Sequence, residues 1–274
     1  EMLRSLVGSE MCIRDSDTTI YSDIGLIVLG KIVEVAAKTT LDNYVDSVIF
    51  EPLGMKSTFF NPPSKKINRI IPTENSRFHK KLIRGFVHDE NAHSIGGVAG
   101  HAGLFSTAKD LAIFSQMMLN GGRYGWKRIF IEDTINNFTR RTNEIEGSSY
   151  GLGWDTPSGK ASGGIYLSND SFGHTGYTGT SLWIDRENQI FVILLTNAVH
   201  PDRSYKKKSY FDHQKRESLY YRMPFGYIMW DARYPNKKFC AGGRVANNTF
   251  SGKKWLDVRC NSKDYKDLAI FKDY

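Results

Sequence analysis

Residues 171–197 read SFGHTGYTGTSLWIDRENQIFVILLTN, and the fold turns on them. Two runs rich in β-branched and aromatic residues flank a four-residue DREN turn, the pattern of an antiparallel hairpin. The second run, from Gln189, is apolar almost throughout and is expected to be deeply buried. Just ahead, Gly151 to Asp155 (GLGWD) is strand-like as well.

Upstream the period changes to that of helices. Asp23 to Lys38 (DIGLIVLGKIVEVAAK) is apolar at nearly every turn, with Ser22 or Asp23 placed to cap it, which predicts a largely buried helix. After Thr40 as N-cap, Leu41, Tyr44, Val45, Val48 and Ile49 repeat at helical spacing as far as Pro52-Leu53-Gly54. Leu111, Phe114, Met118 and Leu119 mark a third helix, capped by Thr107 with Asp110 three residues on and stopped at Gly121-Gly122. Residues 61–105 form a long irregular region ending in IGGVAGHAGLF, of the kind that lines a site. Helices first and then strands, without βαβ alternation, predict an α+β fold: an antiparallel sheet flanked by helices.

The chain has 274 residues, enough for one large domain or two small ones. At 40% apolar and 24% charged residues it is not a disordered composition, and no apolar run approaches the ~18 residues of a membrane helix. The net charge of +8 belongs to the end of the chain: residues 203–274 carry 17 basic and 7 acidic side chains, and residues 1–202 carry 20 and 22. A nucleic-acid partner is therefore not expected for the body, and the basic tail reads as a solvated end. Cys12, Cys240 and Cys260 leave residues 13–239 without cysteine, so there is neither a disulfide framework nor a CxxC zinc site.

Both ends read differently from the middle. Residues 1–16, EMLRSLVGSEMCIRDS, lack the n-region and apolar h-region of a signal peptide, and Ser5 to Ser16 resembles translated sequencing-adaptor read-through. They are expected to be a non-native leader. From about Tyr221 no apolar spacing is sustained; a frameshifted end, a species-specific extension and a small subdomain stay open for residues 221–274.

Three motifs carry chemistry. Tyr21-Ser22-Asp23 sets a phenol and a carboxylate at the mouth of the first helix, able to face a cleft while Ser22 points inward. His174-Thr175-Gly176 opens a glycine-flanked strand against which a ligand can lie, with backbone N–H groups as oxyanion donors. Between them stands the Gly103-Leu-Phe-Ser-Thr-Ala-Lys-Asp-Leu helix start. His88, Asp89, His93 and His101 raise the question of zinc, but their spacing fits no common zinc pattern, and a loop lining the cleft with His101 as a pocket residue is the better reading. Gly97, Gly100 and Gly103 follow no clear strand, which argues against a phosphate loop.

In this order, the motifs make residues 17–202 resemble the β-lactamase-related serine hydrolases: penicillin-binding proteins, class C β-lactamases, DD-peptidases and related esterases. FEPLGMKSTFF, VHDENAHSIGGVAGHAGLFSTAKDL and SFGHTGYTGTSLWID look most like a bacterial branch sometimes fused behind a family 3 glycoside hydrolase, a candidate upstream partner. The resemblance implies a proton-shuttling role for Tyr21, a place for Asp23 where the family usually has Asn, and one for His174 where Lys is commoner. It likewise implies substrate contacts at Thr175, Gly176 and Tyr177, beside His101. No cofactor and no metal is expected; the substrates implied are D-alanyl peptides of peptidoglycan, β-lactams or small esters, in the bacterial envelope or periplasm.

Relatives combine S-x-x-K, S-D-N and K-T-G motifs. Here S-x-x-K occurs at Ser106–Lys109, Ser204–Lys207 and Ser251–Lys254, all after Tyr21, and Ser106-Thr107 is better explained as a helix start. The segment bearing the nucleophile is thus expected to be missing, the domain incomplete at its N-terminus, and the chain inactive as it stands. The alternative is a non-catalytic peptidoglycan-binding or sensor module on the same fold.

Overall fold

The computed structural model describes residues 21–142, 148–157 and 167–204, with the backbone of two strands at 227–231 and 239–241. The leader and nearly all of the basic tail lie outside the described residues.

The hairpin forms as read. Strands β7 (Ser171–Thr175), β8 (Ser181–Asp185) and β9 (Ile190–Leu194) pair antiparallel, with His174 opposite Leu182 and Leu182 opposite Ile193. Two strands from the tail, β10 (Tyr227–Asp231) and β11 (Phe239–Ala241), continue the sheet in the order β11-β10-β9-β8-β7. The backbone thus has regular structure where the apolar pattern gave no period. In β9 only Phe191 and Ile193 are fully buried and their neighbours half-buried, so this strand alternates rather than being deeply buried throughout. Gly151–Asp155 forms no strand; it contributes bridges from Asp155 to Tyr150 and to Gly173.

Among the described residues six α-helices precede the sheet in the chain: α1 (Asp23–Ala37), α2 (Leu41–Val45), α3 (Glu51–Leu53), α4 (Glu90–Ser94), α5 (Ala108–Leu119) and α6 (Glu132–Thr139). Between α2 and α3 a π-helical turn, Asp46–Phe50, replaces the single helix expected. In the irregular region, short ladders pair β1 (Phe59–Phe60) with β4 (Leu104–Phe105) and β2 (Asn75–Ser76) with β3 (Lys81–Leu82); β5 (Arg123–Tyr124) pairs with β6 (Lys127–Arg128). Phe172, Ile184, Phe191 and Ile193 of the sheet pack on Met117, Met118 and Leu119 of α5, Ile135 of α6, and Phe50, Leu53 and Met55. This contiguous apolar layer is the main core and the principal source of stability.

Thr107 caps α5 as expected, its hydroxyl accepting from the Asp110 N–H at 3.3 Å. Asp110 turns its carboxylate to the Ser57 N–H and the Thr58 hydroxyl, tying the helix start to the chain that follows α3. Thr40 occupies an N-cap position without a side-chain cap, and Glu34 Oε1 accepts from the Leu41 N–H at 3.1 Å instead. The first helix corrects its reading most. Neither Ser22 nor Asp23 caps α1 through its own side chain, and Ser22 is exposed rather than turned inward. Nor is α1 largely buried: Gly30 alone is fully so, whereas Ile24, Val28, Leu29, Ile32 and Val35 are exposed. A helix apolar on every side carries no periodic sign of which side meets the domain.

Candidate active site

Tyr21 and Asp23 stand at the start of α1, which the Gly30–Gly100 approach holds against the glycine-rich loop. A Cβ on Gly100 would lie 2.1 Å from the Leu26 carbonyl oxygen. Absence of a side chain, rather than a positive φ, is what this glycine supplies. His101 follows, its side chain only 2% exposed, with Nε2 2.9 Å from Asp89 Oδ1. Asp89 also caps α4 by accepting from the Ala92 N–H at 2.8 Å.

His174 and Thr175 end β7, the last strand on that side of the described sheet. Gly173 is required there, because a Cβ would lie 2.3 Å from the Leu182 carbonyl oxygen and 2.5 Å from the Trp183 ring. Asp155 pairs with the outer edge of β7 at Gly173 through bonds of 2.8 and 2.9 Å, leaving the pairing to stop before His174. The turn beyond is closed by Gly176 N–H to Thr180 O (2.7 Å) and Gly179 N–H to Gly176 O (2.9 Å). The Thr175 carbonyl can only accept, so His174 Nδ1 donates to it at 2.7 Å.

These segments surround one cavity of about 910 Å³. All seven residues singled out from the sequence line it: Tyr21, Asp23, His101, His174, Thr175, Gly176 and Tyr177. The Tyr21 and His174 rings face each other with centroids 6.0 Å apart and planes inclined at 35°. Burial, then the nearby carboxylate of Asp23, push the Tyr21 phenol above its ordinary value, so the hydroxyl is protonated near neutrality. Tyr150, also on the wall, is pushed up by burial and by Asp155.

Several wall residues were not legible in the sequence. Arg203 reaches the cavity and is held by two carboxylates, Glu74 and Glu90. Buried Glu74 also accepts from His88 Nε2 at 2.6 Å, and the His88 ring stacks on Tyr177 at 5.7 Å. Ser106, by contrast, is absent from the lining; its hydroxyl bonds to Thr58 Oγ1 at 2.7 Å.

The family model described as Beta-lactamase matches residues 15–217. The chain belongs to the Beta-lactamase family. It is 44% identical over 199 residues to a Salmonella schwarzengrund protein named "Putative D-alanyl-D-alanine carboxypeptidase", a match covering 66% of this chain and 45% of that protein. A Salmonella newport protein of the same name is 43% identical over the same length. The chain therefore spans about half the length of these curated relatives. Among solved structures it is similar to a beta-lactamase from Mycobacterium bovis (19% identity, 73% of this chain and 65% of that one, TM-score 0.47). It is also similar to the octameric penicillin-binding protein homologue from Pyrococcus abyssi (21% identity, 76% and 45%, TM-score 0.47). For a Beta-lactamase family chain, an α+β fold with an antiparallel sheet flanked by helices is the expected frame, and this structure has it.

Proposed function

We propose that the chain is part of a serine acyl-transfer hydrolase that releases D-alanine from peptidoglycan peptides through an acyl-enzyme in the bacterial envelope. The observation that carries this reading is the meeting of Tyr21 and His174 at 6.0 Å across one cavity, beside the strand end Thr175–Gly176. The D-alanyl-D-alanine carboxypeptidase name of the Salmonella relatives supports the substrate class.

In this mechanism a serine oxygen attacks the peptide carbonyl and gives its proton to the Tyr21 oxygen as that hydroxyl passes its own to Asp23. The proton returns along the same path to the leaving D-alanine amine. His174, fixed through Nδ1, has Nε2 available to orient the substrate, which lies along Thr175, Gly176 and Tyr177. We assign the nucleophile to a Ser-x-x-Lys segment outside these 274 residues. Ser106 lies off the cavity wall, its hydroxyl bonded to Thr58.

The test measures D-alanine release from an N-acylated peptide ending in D-Ala-D-Ala, with nitrocefin and a small ester in parallel. Release is expected from a longer protein that adds the upstream Ser-x-x-Lys segment, and Tyr21→Phe is expected to lower its kcat by ~10²–10⁴. Turnover by the 274-residue chain alone would overturn the nucleophile assignment. Binding of peptidoglycan fragments by the longer protein, without a covalent adduct, would establish the non-catalytic module instead.

A further inference from the structure

Tyr177 lies one residue past Gly176, lines the cavity and is 54% exposed. A tyrosine on a turn has two side-chain torsions to settle, and the backbone bonds that close the turn settle neither. The face of a neighbouring ring narrows both. His88 offers that face to Tyr177, with centroids 5.7 Å apart and planes inclined at 24°.

His88 is itself held by its edge. A carboxylate oxygen only accepts, so His88 Nε2 donates to Glu74 Oε2 at 2.6 Å, on side chains 12% and 2% exposed. Glu74 is fixed in turn to the segment after β9, by the Arg203 guanidinium on both its oxygens and by the neighbouring Asn75 N–H, which donates to Pro201 O at 2.8 Å. That segment is bonded to the turn as well, through Ala198 N–H to Thr178 O at 2.7 Å. The ring that supports Tyr177 and the turn that carries it therefore share one frame. Among the described residues, His88 makes no hydrogen bond or ring contact with Tyr21, Asp23 or His174.

We propose that His88 is a positioning residue for the substrate: it holds the Tyr177 ring along the path that a D-alanyl peptide takes over Thr175 and Gly176. The substrate in this statement rests on the acyl-transfer reading, and the residue rests on the contacts above. In the sequence His88 stands with Asp89, His93 and His101 and raises only the question of zinc, because neither Glu74 nor Tyr177 is near it in the chain. Its effect falls on binding rather than on bond-making. It acts on the peptide through Tyr177, and a contact made alike in the ground and transition states changes KM and leaves kcat as it is.

The test measures D-alanine release from the N-acylated D-Ala-D-Ala peptide by the longer protein. His88→Gln keeps a donor for Glu74 and removes the ring face; it is expected to raise KM about three- to tenfold, the range of one aromatic contact, with kcat within about twofold. His88→Phe restores a ring face and leaves Glu74 without that donor, so it should recover most of the KM loss while lowering the urea midpoint. A histidine that served stability alone would give the opposite order. Tyr177→Ala should raise KM by itself, and adding His88→Gln to it should change little more. Without any variant, the ring signals of His88 and Tyr177 in the NMR spectrum should move together when the peptide is added. A KM unchanged in His88→Gln, equal losses in the Gln and Phe variants, losses that add to those of Tyr177→Ala, or a Tyr177 signal that moves alone would each overturn the proposal. If the longer protein releases no D-alanine, the acyl-transfer reading fails and the same comparisons are read in the calorimetric Kd of the peptide; no binding at all would overturn both.

Discussion

Arg203 grips Glu74 from both sides of its carboxylate, with Nε 3.0 Å from Oε1 and Nη2 3.0 Å from Oε2, and its backbone N–H adds a third bond at 2.9 Å. The two residues lie 129 positions apart, and Glu74 is 1% exposed. Through His88 the same carboxylate reaches the ring that stacks on Tyr177, so one buried acid joins the loop before α4, the segment after β9 and the turn after β7. Removing it leaves His88 and the Arg203 N–H without their acceptor, whereas the Arg203 head, partly exposed, keeps Glu90. Glu74→Ala is therefore expected to cost about 1–3 kcal/mol in urea unfolding, below the full penalty of stranding a buried charge.

The same cluster sets an acid limb. Burial raises the Glu74 carboxyl, but bonds from Arg203 and His88 outweigh it and hold the group below its ordinary 4.5. Asp89 is held below its ordinary 3.8 in the same manner, its burial outweighed by the Ala92 N–H and His101. A depressed acid stabilises the fold above its unfolded value and loses that contribution as pH falls through the folded value. Melting temperature should thus be level above about pH 5 and fall steeply below about pH 4.5. Glu74→Gln, which removes a titrating group, should start lower and fall less steeply; parallel wild-type and variant curves would count against this assignment.

How much of this was readable from sequence differs from residue to residue. Tyr21 and His174 could be singled out because each sits in a short motif, His101 because it stands in the glycine-rich loop, and all three line the cavity; the hairpin was legible because its apolar residues have a period. Glu74 and Arg203 left no such trace, since their bond depends on two loops converging and on no local spacing. Helix α1 was legible as a helix and illegible in orientation, because Ile24, Val28 and Val35 look no different in sequence from Leu26, Ile27 and Val33, which the fold turns partly inward. The sequence also marked the glycine-rich loop without saying what each glycine does there: Gly97 and Gly103 adopt positive φ, whereas Gly100 makes room for a helix.

That distinction yields a sharp expectation at Gly100. An added methyl would meet the Leu26 carbonyl oxygen at 2.1 Å and its carbon at 3.1 Å, both of them backbone that no rotamer change can move. Helix α1 must then shift as a body, taking Tyr21 and Asp23 away from His101. Gly100→Ala should destabilise by about 1–3 kcal/mol and speed limited proteolysis within α1, whereas Gly96→Ala, where nothing lies within 4 Å of the new atom, should show only the milder strain of its positive φ.

Asp185 closes the turn between β8 and β9 as a fully buried carboxylate held by hydrogen bonds. Oδ1 accepts from the Ser168 hydroxyl at 2.6 Å and the Asn188 N–H at 3.0 Å; Oδ2 accepts from the Ser168 N–H and the Asn188 side-chain amide, each at 2.9 Å. Burial raises this acid, yet the bonds from Asn188 and Ser168 prevail and hold it below its ordinary value. Asp185→Ala abandons all four donors inside the protein, at an expected cost of about 2–4 kcal/mol. Asp185→Asn is no gentler substitute, because its amide must turn two hydrogens toward donors on one side or the other. Both variants should lower the urea midpoint by similar amounts at an unchanged slope. An Asn variant within about 0.5 kcal/mol of wild type would mean that the negative charge and its four donors do not hold this turn.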